Sequence, residues 1–286
     1  MLSYQHGYHA GNHADVIKHL CWLGVINHLK RKNKPFTLFD THAGAGLYPL
    51  DSEQAQKNKE FETGIHPLSG ISANSELLAT YLSLTQDFLA HQHYPGSPAL
   101  AATVMREQDI AHLMELHPGE SNALNAAMRA VGKDKNVRVH HRDGLEGLIA
   151  MTPPQPNRGA VLIDPPYEQY REYQHIADTL EKMFRRWQNA QVVLWYPLLS
   201  ARAGEKSGAS EAMVEHIAQL GTTAFSAELT VADYADDTGM YGSGVCVINP
   251  AWQLDKQLWE ALDEACAHLG GHTSFSVRWL KTEQDA

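Results

Sequence analysis

Four acids close, or lie just beyond, short apolar runs of strand length: Asp40 ends Phe36–Asp40, Glu115 lies in Ile110–Leu116, Asp143 follows Val137–His140, and Asp164 ends Ala160–Asp164. In an open α/β sheet the carboxyl ends of the strands form the edge at which ligands bind. An acid after the second strand can there accept both hydroxyls of a ribose, which makes Glu115 a candidate nucleoside ligand and brings Asp143 within reach of an adenine edge. Taken singly, each acid is equally well read as a helix or turn cap; the ordered series of four is not. Asp164 is the most constrained of them. In LIDPPYEQY, residues 162–170, Pro165 and Pro166 can neither continue a strand nor donate a backbone hydrogen bond, so they hold a rigid carboxylate beside the flat ring of Tyr167.

FTLFDTHAGAG, residues 36–46, is an apolar strand, an acid and a glycine turn, in which Gly44 and Gly46 allow a ligand to approach the backbone closely. The third glycine of a dinucleotide fingerprint is missing, since position 49 is Pro, and no phosphate-loop lysine follows. Nicotinamide and nucleoside-triphosphate chemistry therefore lose ground.

The elements that must position these residues alternate. Strands are expected at Phe36–Asp40, Ile110–Leu116, Val137–His140, Ala160–Asp164, Val192–Tyr196, Phe225–Val231 and Gly244–Asn249, with helices at Pro98–Glu107, Ser121–Val131, Leu145–Ala150, Tyr170–Trp187 and Ser210–Leu220. Such alternation predicts an α/β fold with a mostly parallel sheet and right-handed crossovers. After about residue 221 two strands follow one another through DYADDTGMYGSG, which predicts a C-terminal antiparallel hairpin; a helix at Leu254–His268 and a strand at Thr273–Leu280 complete the pattern. The segment from about Tyr48 to Tyr94 has helical periodicity and reads as a helical insertion after the first strand, within a single domain spanning 1–286.

A formal net charge of −10 over 286 residues gives no global attraction to nucleic acid or an anionic membrane, so a polyanion must meet a local basic patch. Lys30-Arg31-Lys32-Asn33-Lys34 and Arg185-Arg186 are such patches, though short charge runs are commonly solvated helix ends. Cys21, Cys246 and Cys266 form no CxxC pair and read as reduced thiols; with no basic leader before an apolar stretch and no bilayer-length apolar run, a cytoplasmic protein is expected. At the N-terminus His9, His13 and His19 stand near Asp15, but Gly11-Asn12 interrupts the helix that metal-ligand spacing would need and no cysteine supports a site, so no metal is expected. Asn12 or Asp15 is placed to start a helix running to about Leu29.

The order of glycine turn, ribose acid, adenine-side acid and catalytic loop resembles class I S-adenosylmethionine-dependent methyltransferases, whose fold is Rossmann-like. In that superfamily a loop of the Asp-Pro-Pro-Tyr type marks methylation of a planar amino nitrogen. The residue types suit that chemistry, because an exocyclic amine is a poor nucleophile whose lone pair is delocalised into the ring. Hydrogen bonds from the amine to Asp164 and the Pro165 carbonyl favour an sp³-like nitrogen, the prolines keep those acceptors fixed, and Tyr167 offers a stacking face.

More specifically, SYQHGYHAGNHADVIKH, DTHAGAG, YPGSP, ELHP, RDG, LIDPPYE, LWYP and INPAW occur in an order that resembles the RlmJ-type family, bacterial 23S ribosomal RNA (adenine-N6) methyltransferases, over nearly the whole chain. The resemblance implies S-adenosylmethionine as methyl donor without a metal, contacted by His19, His42, Gly44, Ser97, Glu115, Asp143, Gly144 and Asp164. It implies a catalytic loop of Asp164, Pro165, Pro166 and Tyr167, and Tyr4 as an rRNA-recognition residue. It also implies a monomer acting on 23S rRNA before or during large-subunit assembly. Ala251 replaces the second proline of the family's INPPW, after the catalytic motifs. Without the resemblance, His19 and His42 read as satisfied core histidines, Ser97 as an N-cap and Tyr4 as a surface aromatic. A DNA adenine-N6 methyltransferase, and a non-catalytic assembly factor binding S-adenosylmethionine or RNA, are the alternatives that the residues leave open.

Overall fold

The computed structural model describes residues 4–133, 135–236 and 239–285. The Asn12 side chain accepts from the Asp15 amide and starts α1 (His13–Lys30). This helix leads into β1 (Thr37–Asp40), β2 (Leu47–Pro49), α2 (Glu53–Asn58), α3 (Glu76–Ala90) and β3 (His93–Pro95). The alternating part follows as α4 (Ser97–Val104), β4 (Ile110–Glu115), α5 (Pro118–Ala130), β5 (Val137–His141), α6 (Gly144–Met151), β6 (Gly159–Ile163), α7 (Arg171–Phe184) and β7 (Gln191–Leu199). The chain ends with α8 (Ala209–Ile217), β8 (Ala224–Thr230), β9 (Met240–Ile248), α9 (Leu254–Leu269) and β10 (Ser274–Lys281).

Among the described residues eight strands form one sheet in the order β10-β8-β9-β7-β6-β1-β4-β5. The run from β7 to β5 is parallel, and β9, β8 and β10 add antiparallel neighbours. This is a mostly parallel α/β sheet with an antiparallel C-terminal hairpin, as the alternation of elements predicts. The hairpin partner β9 also pairs with β7, so the second strand of the hairpin, not the first, joins the parallel sheet. Successive residues of β1 point to opposite faces, and Leu38 and Phe39 enter separate cores. One core gathers α1, α3, α4, α5 and α9; the other gathers α6, α7 and α8.

Helix α1 departs from an amphipathic surface helix: it is buried from Ala14 through Ile26, against β9, α3, α4 and α9. A helix covered all round cannot show its facing in periodicity, because every side is apolar. The expected insertion after β1 holds α2 and α3, and it is closed at its base by a separate antiparallel pair, Leu47–Pro49 against His93–Pro95. Three-residue strands leave no alternation to read, which is why the sequence predicts neither. Among the described residues no helix is long and apolar enough to cross a membrane.

Parallel pairing of β1 with β6 sets Thr37 opposite Gly159, and a Cβ at Gly159 would lie 1.8 Å from the Thr37 carbonyl oxygen. Gly159→Ala must therefore push the two central strands apart, and it is expected to lower the thermal midpoint by roughly 3–8 °C. An unchanged midpoint in a melting experiment would show that the strands absorb the methyl group without cost.

Candidate active site

A cavity of about 360 Å³ opens over the carboxyl ends of β1, β4 and β6, bounded on another side by the N-terminal segment and the start of α1. Asp164, Pro165 and Pro166 line it, as do Tyr4, His19, His42, Gly44, Ser97, Glu115, Asp143 and Gly144. The strand-end residues among them are far apart in the chain and converge because parallel strands all present their carboxyl ends to the same edge.

Asp164 follows the last residue of β6, and its Oδ2 accepts from Lys18 Nζ at 2.5 Å. The same ammonium lies 2.8 Å from Asp15 Oδ1, one helical turn earlier on α1. Asp15 Oδ2 in turn contacts His6 Nε2 at 2.9 Å and accepts from the Gly11 amide at 2.8 Å. Burial by itself would raise the Asp15 carboxyl, but His6, Lys18 and His19 together hold it well below the usual range. Burial would lower Lys18, and Asp15 and Asp164 outweigh it and hold the ammonium protonated. A buried cation between two carboxylates is costly to break, since removing one partner leaves uncompensated charge. Motif order does not single out Lys18 or His6. A signal for Lys18 exists all the same, because Asp15, Lys18 and His19 fall at i, i+3 and i+4 on one face of an otherwise apolar helix, where charges call for partners.

Tyr167 departs from its expected role. Its ring is 3% exposed, it is absent from the cavity wall, and its hydroxyl donates to the Trp195 carbonyl at 2.9 Å. The buried ring packs on Tyr173 with centroids 4.6 Å apart and offers no open stacking face. Tyr167 has φ +50, a left-handed conformation costly for an aromatic residue, and its carbonyl accepts from Lys206 Nζ at 3.2 Å. It anchors the loop and so fixes Asp164. The exposed ring at the cavity is Tyr4, 40% accessible, stacked on His9 with its hydroxyl 3.0 Å from His6 Nδ1.

The nucleoside side of the cavity is built on the glycine turn. Gly44, at φ +59, donates its amide to Glu115 Oε2 at 2.8 Å, and the His117 amide donates to Oε1 at 2.7 Å. Each carboxylate oxygen keeps a further lone pair for a diol. Asp143 caps α6 by accepting from the Glu146 amide at 2.9 Å while lining the cavity, so the cap and ligand readings are compatible. Beside it, a Cβ at Gly144 would lie 1.7 Å from the Thr41 carbonyl oxygen, so only glycine fits there. His42 contacts Thr41 Oγ1 at 2.8 Å through Nδ1.

Ser97 does not cap α4; Gly96 occupies that position, and the Ser97 hydroxyl donates to Asp40 Oδ2 at 2.6 Å. His19 Nδ1 contacts the Tyr94 hydroxyl at 2.8 Å, while its Nε2 is buried 3.8 Å from Asp15 Oδ1, without a hydrogen-bond partner among the described residues. Burial pushes His19 down to about 3, so the ring is neutral. An unsatisfied imidazole nitrogen in a cavity wall, with Glu115 across the glycine turn, suits a polar nucleoside cofactor such as S-adenosylmethionine.

Asp40 is fully enclosed, and burial pushes its carboxyl up to about 7 against the opposing pull of the Ser97 hydroxyl. A raised folded-state value contributes stability below the ordinary 3.8 that is lost as pH rises through about 7. Asp40→Asn, which keeps an acceptor for Ser97, is expected to flatten the decline in thermal midpoint between about pH 4 and 7. Parallel curves for variant and wild type would remove Asp40 as the source.

A family model described as ribosomal RNA large subunit methyltransferase D, RlmJ, matches residues 33–281. Ribosomal RNA large subunit methyltransferase J of Escherichia coli (strain K12) is 36% identical over 289 residues, covering 99% of this chain and 100% of the relative. The protein of the same name from Haemophilus influenzae is 35% identical over 291 residues, with 99% and 100% covered. A crystal structure of a Legionella pneumophila protein superposes with TM-score 0.83 at 28% identity, over 94% of this chain and 98% of that one. The chain accordingly belongs to the RlmJ family of ribosomal RNA large subunit methyltransferases.

Proposed function

We propose that this chain methylates the N6 amine of an adenine in 23S rRNA, using S-adenosylmethionine, as one methyltransferase domain spanning 1–286 with an insertion at about 48–94. The supporting observation is the Asp164 carboxylate, pinned by Lys18 through Oδ2 at 2.5 Å on the wall of a cavity that also holds Glu115 and Asp143. His19, His42, Gly44, Ser97, Glu115, Asp143 and Gly144 are the residues to hold the donor, Glu115 at the ribose and Asp143 toward the adenine. When bound, S-adenosylmethionine supplies an electrophilic methyl group on a sulfonium.

Asp164 Oδ1 makes no hydrogen bond among the described residues and is available to the target amine, with the Pro165 carbonyl as second acceptor. Together they orient the nitrogen lone pair toward the methyl carbon. Asp164 does not deprotonate the neutral amine first, because a carboxylate is far too weak a base for it. As the C–N bond forms and the C–S bond breaks, positive charge builds on N6, and its proton then passes readily to Asp164 or water. Tyr4, the exposed aromatic of the cavity, takes the base-stacking part that buried Tyr167 does not. The site is compatible with a monomer that meets rRNA in the cytoplasm before or during large-subunit assembly.

The reading is tested by methyl transfer from labelled S-adenosylmethionine to protein-free 23S rRNA and to genomic DNA, followed by nucleoside analysis. N6-methyladenosine in the RNA alone is expected, and label confined to DNA would overturn the substrate. Asp164→Ala is expected to lower kcat by about a hundredfold or more, and wild-type turnover by that variant would remove Asp164 from the chemistry. Tyr4→Ala is expected to impair RNA methylation while leaving donor affinity within about twofold; an equal loss of both would place Tyr4 in the donor site instead.

A further inference from the structure

Resting on that reading, we propose that the edge of the sheet opposite the active site, formed by the connections preceding β1, β4, β5 and β6, is a second docking surface for the phosphate backbone of the rRNA substrate. These four strands are consecutive in the sheet, in the order β6-β1-β4-β5, and parallel, so the connections entering them lie side by side. The row spans roughly 14 Å at ordinary strand spacing. Lys30, Arg31, Lys32, Lys34, Arg106, Lys133, Lys135 and Arg158 lie in or at the start of them, eight of the chain's 23 Lys and Arg in a protein of net charge −10. Opposing them, among the described residues of these connections, are exposed Glu107 and buried Asp109, which pairs with Arg106 at 2.9 Å.

Hydrogen bonds tie the connections into one platform. Arg106 donates to the Lys32 and Lys34 carbonyls, Arg158 to those of Lys34 and Leu29, and Lys133 to that of Met105. Asn136 donates to the Arg106 and Asp109 carbonyls. Two of these carbonyls, Leu29 and Met105, close α1 and α4, an ordinary use for cations there, and the others lie in the connections themselves. Arg31, Lys32, Lys34 and Lys135 have no such use: their side chains are exposed and make no ion pair or hydrogen bond among the described residues. Arg31 and Lys32 also act inward, since His28 in the last turn of α1 is lowered first by burial and then by Arg31, Arg158 and Lys32.

The site and the platform are separated along α1. Lys18 lies beside Asp164 near one end and Arg31 caps the other, a rise of about 20 Å at 1.5 Å per residue. An RNA presenting its adenine to the cavity has further phosphates to place, and Arg31, Lys32, Lys34 and Lys135, unpaired among the described residues, attract them at this remove without reading bases. The cavity itself is rich in carboxylates, including Glu115, Asp143 and Asp164, so much of the phosphate attraction is supplied elsewhere.

The test is equilibrium binding of a protein-free 23S rRNA transcript by the full chain across a salt series, without methyl donor, so that its outcome is separate from turnover. Lys32→Glu/Lys34→Glu is compared with Lys256→Glu/Arg278→Glu, a reversal of equal charge on α9 and β10 at the far flank of the sheet. Lys32 and Lys34 serve their neighbours through backbone carbonyls only, so folding and donor affinity are expected to be unchanged. The platform variant is expected to bind about tenfold more weakly at moderate salt, with its log–log salt slope reduced by about 1.5 to 2. The flank variant is expected to keep the wild-type slope. Equal slopes for all three proteins, or an equal fall in both variants, would overturn the inference. If the wild type binds as described yet forms no N6-methyladenosine, the proposed reaction fails while the docking surface stands.

Discussion

The position of Asp164 depends on one buried cation. Lys18 bridges Asp15 on its own helix and Asp164 at the end of a central strand, so the helix and sheet are registered to each other at the point where chemistry is proposed. A carboxylate held by a lysine that is itself held cannot drift between rotamers, and that is what an acceptor for a weakly nucleophilic amine needs. The arrangement also explains why α1 is so thoroughly enclosed. Water around Lys18 would weaken both ion pairs, and at 4% exposure Lys18 is largely shielded from it. Asp164 is steadied from its other side by Tyr167, whose left-handed backbone is held by a hydrogen bond to Trp195 and by Lys206.

The parallel sheet gives the molecule two chemically distinct edges. Carboxyl ends of β1, β4 and β6 carry Asp40, Glu115 and Asp164, while the connections entering β1 and β5 carry exposed Arg31, Lys32, Lys34 and Lys135, and those entering β4 and β6 the half-buried Arg106 and Arg158. Parallel connectivity makes this separation available: every strand runs the same way, so residues that follow strands collect at one edge and those that precede them at the other. An acidic protein can in this way gather exposed cations at the edge away from the cavity, where Lys18 is neutralised between two carboxylates.

Much of the fold was legible because its signals are local. Apolar runs of strand length alternating with helical periodicity mark β1, β4–β7 and the helices between them, and turn residues without a helix mark the hairpin of β8 and β9. The pair β2 and β3 was not legible, since three residues carry no period and their pairing spans the whole insertion. The acids of the site could be named from their places after strands. Their partners could not: that Ser97 bonds Asp40 rather than capping a helix depends on how α4 lies over β1.

The sequence by itself determined the α/β alternation, the rigid Asp-Pro-Pro-Tyr loop, the glycine turn and the order of acids along one sheet edge, because each depends on residues close in the chain. Only the tertiary structure decided that Lys18 grips Asp164 across 146 positions, that His19 Nε2 has no hydrogen bond among the described residues, and that Tyr167 is buried while Tyr4 stands open at the cavity. The physical reason is common to all three. Burial, ion pairing and exposure are properties of surfaces brought together by folding, and local spacing encodes which faces a residue can present without encoding what will meet them.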